Sequence, residues 1–186
     1  TQTVNPIFYG ETSISNVVKR YPINYVFKPL LFLASLIMIT YWFYYNKIFN
    51  FLFEEKKIRI FYIFGILSAI FLFLHVFFLG SIYESKILTQ IRRIYIIFFI
   101  LFEILAQVFL IKNILYKRNQ LSNYLKDIIV TCKLFFVSFV CLSTLIILLI
   151  LVIYNLSSNV DYILEWNYFL ILIIFFFLSF LMWKKN

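Results

Sequence analysis

Charge is scarce in this sequence. Only 13% of its 186 residues are charged, against 64% that are hydrophobic, and the mean hydropathy is +0.96. A soluble domain of this length needs more polar surface than that to cover its core, so a soluble globular fold is excluded. Histidine is scarcer still. A single His excludes a bis-histidine haem within the chain and, with no Cys/His/carboxylate cluster, leaves no basis for a metal site. No cofactor is expected. Cys132 and Cys141 fall on one apolar stretch. At nine positions apart they would stand ~13 Å apart along a helix, too far to bridge. Glycine and proline number three each. Helices with so few small residues cannot approach closely along their whole length, and Gly65-x-x-x-Ala69 is one small-xxx-small site. No G-x-S-x-G, phosphate-binding loop or H-E-x-x-H occurs, so no motif demonstrates an enzyme.

What the sequence does have is five long apolar stretches: Val26–Tyr45, Ile60–Ile82, Ile94–Ile111, Ile128–Tyr154 and Tyr162–Trp183. Each is close to or above the ~18–20 residues that a helix needs to cross ~30 Å of hydrocarbon. Lipid leaves every backbone polar group to be satisfied within the segment, so each run is read as a helix. The fold class is all-α, a polytopic transmembrane helical bundle with five spans in one domain, 1–186. Residues 1–25 form an extramembrane N-terminal segment.

The net charge is +9. In a soluble chain it would point to nucleic acid, but here the cations flank the spans, so no nucleic-acid partner is expected. Six basic residues fall on the side of the N-terminal segment: Lys19, Arg20, Lys28, Lys86, Arg92 and Arg93. The other eleven, Lys133 and Lys185 among them, fall on the opposite side. The positive-inside rule then puts the N-terminus outside, or in a lumen, and the C-terminus in the cytoplasm. Trp42, Trp166 and Trp183 are read as belt residues at span ends. Asn155-Leu156-Ser157 matches a glycosylation sequon on the outer side.

Ionisable groups within spans are functional candidates, because they cost ~2.5–3.5 kcal/mol at mid-bilayer. His75 lies in the second span and is read as an imidazole bonded between helices. Glu103 lies mid-way along the third span, one turn from Gln107, and the two are read as a pair. Glu165 opens the fifth span beside Trp166, where the helix dipole would favour a carboxylate. Topology gathers Ser13, Ser15, Arg20, Lys28, Glu84, Arg92, Arg93 and Glu165 at the outer headgroup level. Hydroxyls, cations and a carboxylate there suit a phospholipid headgroup. The candidate site is therefore Glu165 for chemistry, with Ser13, Ser15, Tyr25, Lys28, Arg92 and Trp166 for lipid binding, and membrane lipids are the expected partners.

The run Thr12-Ser13-Ile14-Ser15-Asn16, then Tyr21-Pro22-Ile23-Asn24-Tyr25-Val26-Phe27-Lys28, resembles the GPI-anchor lipid-remodelling family. This comprises post-GPI-attachment-to-proteins factor two and its relatives, in a superfamily with the damage-regulated autophagy modulators. Tyr41-Trp42, Ile91-Arg92-Arg93 with Phe98-Phe99, and Tyr162-Ile163-Leu164-Glu165-Trp166 resemble its later motifs, in the same order. Thr12 stands where the family has Pro, and Arg92 where it has His. The resemblance implies six spans, five of them present here, and fatty-acyl remodelling of lipid at the outer or lumenal face. It implies a Golgi or ER membrane in a eukaryote. In a bacterium or organelle the location would be the inner membrane, with another lipid as substrate. Two alternatives remain at this point: a non-enzymatic hydrophobic subunit of a larger membrane complex, and a small transporter, whose mid-membrane polar groups would be Glu103 and Gln107.

Overall fold

The computed structural model describes residues 5–9, 12–18, 21–54, 58–79, 86–153 and 158–184. Among them the chain forms helices α1 (Pro6–Tyr9), α2 (Ile14–Val18), α3 (Ile23–Leu52), α4 (Ile60–Phe77), α5 (Lys86–Tyr116), α6 (Arg118–Leu121), α7 (Asp127–Ile153) and α8 (Ser158–Leu181). No strand occurs among the described residues, only one isolated bridge between Leu125 and Trp183. Helices α3, α4, α5, α7 and α8 are long and apolar enough to cross a membrane. This is an all-α integral membrane protein.

The chain divides into two compact units, Ser15–Phe109 and Thr1–Ile14 with Leu110–Asn186. In the contiguous unit α3 and α4 pack antiparallel. α3 is apolar on every side, and burial picks out one stripe: Ser35, Met38, Trp42, Tyr45 and Phe49. The alternating spacing of three and four residues is that of a helix seam. Opposite it α4 presents Phe61, Gly65, Ala69 and Leu72, all buried. The closest approach is Trp42 over Gly65, where a Cβ would run into the indole ring. Here the small-xxx-small pair admits a large ring. Aromatic pairs line the same seam, Phe49 with Phe61 and Phe32 with Phe73, at 5.4 and 4.9 Å between centroids. The register of α5 on α4 is likewise antiparallel. Phe71 pairs with Phe98 at 5.2 Å and stands 5.4 Å from Phe102.

Arg59 joins α3 to α4. It is buried, its guanidinium lies 5.3 and 5.7 Å from the Phe49 and Phe53 ring centres, and its backbone N–H donates to Asn46 Oδ1 at 3.2 Å. Asn46 and Asn50 look like loop residues in sequence. They lie on the last turns of α3, which runs to Leu52 and not to Tyr45. At its other end α3 begins at Ile23, and Pro29 sits inside it. A proline has no N–H to close onto the carbonyl four residues back, so the Tyr25 carbonyl has no helical donor from position 29.

In the split unit α7 and α8 are antiparallel. Phe136 meets Phe175 at 5.3 Å, and Tyr168 Oη donates to Thr144 Oγ1 at 2.9 Å. Nearer the α7 start, Lys133 Nζ donates to Ser179 Oγ, and both residues are fully buried. Lys133 is thus a helix residue of the interior, not one of the loop cations with which the charge count grouped it. Beyond α8 the chain is clipped to the α6–α7 turn by Lys126 N–H to Met182 O and Lys184 N–H to Tyr124 O, both 2.8 Å. Arg118 pairs with Asp127 across the same turn.

Two further expectations change. Trp42 is a core residue with no exposed surface, because α3 continues ten residues beyond it. Glu165 is the eighth residue of α8, which starts at Ser158, so it lies past the first turn, where the helix dipole acts. The sequon Asn155–Ser157 lies outside the described residues, as do Lys19, Arg20, Glu84 and Lys185.

Candidate functional site

The singled-out polar residues fall into three sets, at different depths of the two units. The deepest is in the contiguous unit. Glu103 lies mid-way along α5 and is fully buried. Its Oε2 accepts from Ser68 Oγ at 2.7 Å and its Oε1 from Gln107 Nε2 at 2.9 Å. Gln107 follows by one helical turn and so shares the face of Glu103. Ser68 comes from α4 and also stands 3.0 Å from the Gly65 carbonyl. The Glu103–Gln107 pair expected from sequence is present. Ser68 was missed, because nothing in one sequence says which residue of the second span faces Glu103. The antiparallel register decides that. Gln107 Oε1 is buried with no partner among the described residues.

The second set stands at the end of the same unit where α3 begins, α4 stops and α5 starts. His75 Nδ1 is 3.1 Å from the Arg92 carbonyl and both residues are buried. A carbonyl only accepts, so this bond puts the proton on Nδ1. It is the inter-helix bond expected of His75. Lys28 Nζ donates to the Leu79 carbonyl at 2.8 Å, just past the C-terminus of α4. A cation suits that end of a helix. Tyr25 is exposed and meets Tyr21 edge-on at 5.8 Å.

The third set is in the split unit and joins the N-terminal segment to α8. Trp166 Nε1 donates to the Thr12 carbonyl at 3.0 Å. One residue on, Asn167 Nδ2 donates to the Ile7 carbonyl at 3.3 Å and to its own helix at Ile163 O, 2.8 Å. Two side chains of one helical turn therefore hold two points of the segment. Ser13, next to Thr12, is buried, and Glu165, next to Trp166, is half-buried. Helix α2 follows directly. Ser15 belongs to α2, and its side chain lies outside the described residues.

Of the expected headgroup set, the split unit brings the Ser13 segment to Trp166 on the third turn of α8, where Glu165 precedes it. Tyr25, Lys28 and Arg92 belong to the contiguous unit and share one end of it. Among the described residues no three His, Cys, Asp or Glu side chains could hold a metal ion. No family model, curated protein or solved structure matches the chain.

Proposed function

We propose that this protein remodels membrane lipid in the manner of the GPI-anchor lipid-remodelling family it resembles, exchanging a fatty-acyl chain at the outer or lumenal face. The observation that carries the reading is the attachment of the Ser13 segment to the opening of α8. The Ser-x-Ser segment and the Leu-Glu-aromatic helix opening are the two stretches of the resemblance farthest apart in sequence. Trp166 and Asn167 bond directly to the backbone of the first. Ser13 and Glu165 are the sequence neighbours of Thr12 and Trp166, the two residues that make that contact. In this reading Glu165 accepts a hydrogen bond from the free hydroxyl of a lysolipid and orients it toward the acyl ester of a second phospholipid. The new ester forms as the old one breaks, and the donor leaves as a lysolipid carrying the hydroxyl proton, while Trp166 holds the segment at the site. The side assignment rests on the smaller number of basic residues at this end of the spans.

The test is acyl exchange by the purified protein in vesicles containing a phospholipid with a labelled fatty acid. Glu165→Gln is expected to reduce exchange about 10²-fold or more, the scale of a lost general base or orienting group. Exchange unchanged in a folded Glu165→Gln protein would remove the carboxylate from the mechanism. No exchange by the parent protein, with any phospholipid or GPI substrate, would remove the reading itself.

A further inference from the structure

The second set of residues, in the contiguous unit, bears on what this molecule binds. Lys28 is half-buried, and its ammonium is held by a backbone carbonyl. No carboxylate partners it among the described residues. One of its three N–H groups is used on Leu79 O, which leaves two donors and a full positive charge. The carbonyl fixes where that charge stands, beside the end of α4. His75, one turn before Leu79, bonds the Arg92 carbonyl and brings the early turns of α5 to the same end. There Arg93 is exposed. Acidic residues described in this unit lie elsewhere: Glu54 follows the far end of α3, and Glu103 is at mid-depth.

Two more features aim the charge at a particular ligand. Tyr25 is exposed and lies three residues before Lys28, hence on the same face of α3. A phenol and an ammonium side by side are two donors for one phosphate. Both lie in the first two turns of a membrane-crossing helix, the depth of lipid headgroups.

We infer that Tyr25 and Lys28 form a receptor for the phosphate of an anionic phospholipid. A glycerol headgroup leaves the phosphate its net negative charge, whereas a choline headgroup carries a cation that offsets it. The inference goes beyond acyl remodelling: it requires binding only, and stands whether or not the protein catalyses exchange.

Lipid retention by the full-length purified protein tests it. Equal amounts of phosphatidylglycerol and phosphatidylcholine are offered in detergent, and bound lipid is read by native mass spectrometry. The parent protein is expected to retain phosphatidylglycerol preferentially. Lys28→Met keeps the apolar stem and should lower that retention about tenfold, the scale of one charge-assisted bond. Lys28→Arg should restore most of it. Equal retention of the two lipids by the parent protein would overturn the inference, as would undiminished phosphatidylglycerol on a folded Lys28→Met protein. If Lys28→Met does not fold, Tyr25→Phe decides: about a threefold loss supports the receptor and no loss overturns it. Inorganic phosphate is the third arm. Lys28-dependent binding of phosphate without any retention of phosphatidylglycerol would make the ligand a soluble anion and overturn the lipid assignment.

Discussion

The middle of the contiguous unit and the opening of α8 in the split unit solve the same problem differently. Both place a glutamate on a long apolar helix. At mid-depth Glu103 is fully buried, and its oxygens are met by two side chains, Ser68 and Gln107. At the α8 opening Glu165 is half-buried, and its neighbours Trp166 and Asn167 reach backbone carbonyls of a separate segment. The difference follows from where backbone acceptors are available. Within a span nearly every carbonyl is committed to its own helix, so a polar group there must find another side chain. Toward the ends, irregular segments and helix termini leave carbonyls over. Thr12 and Leu79 serve in that way. Mid-depth polar contacts thus depend on helix register, while end contacts depend on chain path.

If the middle is held by register, it should tolerate little change in shape. The largest expected effect is at Gly65. A methyl group there points into the fully buried Trp42 ring, which has no room to retreat. Gly65→Ala should destabilise the protein by about 1–3 kcal/mol, as overpacking does elsewhere. Loss of tertiary signal in a detergent unfolding titration would measure it. Adding Trp42→Leu should return part of the loss, since the two changes act on one contact. A Gly65→Ala protein as stable as the parent would mean that α3 and α4 are not closely packed at this turn.

The next effect sharpens the polar half of the comparison. Glu103→Leu removes the acceptor of Gln107 and one of the two acceptors near Ser68. Ser68 keeps the Gly65 carbonyl of its own helix, at 3.0 Å, and Gln107 has no such substitute. The expected cost is about 1–2 kcal/mol, the upper part of the range for hydrogen bonds between membrane helices. Glu103→Leu combined with Gln107→Leu should cost less than the two single changes added together. Strict additivity in that cycle would show that the pair is not coupled.

The residues that were legible in the sequence divide along the same line. The five helices were readable because hydrophobic length depends only on what is in the run. Their ends were not: Asn46, Asn50, Arg92 and Arg93 fall outside the apolar runs yet lie within helices, and two of them meet tertiary donors there, Asn46 Oδ1 accepting from the Arg59 N–H and the Arg92 carbonyl from His75. Glu103 with Gln107 was readable because the two are one turn apart on one helix. Ser68, Trp42 over Gly65, and Lys133 with Ser179 are pairings between helices. Spacing within a single helix carries no information about those. Lys133 shows the cost of that gap, a cation counted with those flanking the spans and found buried inside.

The smallest expected effect is the one that decides whether the α8 opening is held by its backbone contacts. Trp166→Phe keeps a large ring at the position but removes the N–H that reaches Thr12 O. One neutral hydrogen bond at a partly exposed site contributes about 0.5–1.5 kcal/mol. Global unfolding should hardly register it, since α7 and α8 still pack through Phe136, Phe175 and Tyr168. The segment itself should register it strongly. A loss of ~1 kcal/mol raises the open population about fivefold when opening is local. Amide exchange in residues 12–18 should therefore quicken about fivefold while exchange within α7 stays unchanged. Asn167→Leu removes the second tether, to Ile7 O, and should quicken residues 5–9 in the same way. If exchange in 12–18 is unaltered by Trp166→Phe, the Thr12 contact does not hold the segment, and the α8 opening is ordered by apolar packing, as the middle of the other unit is.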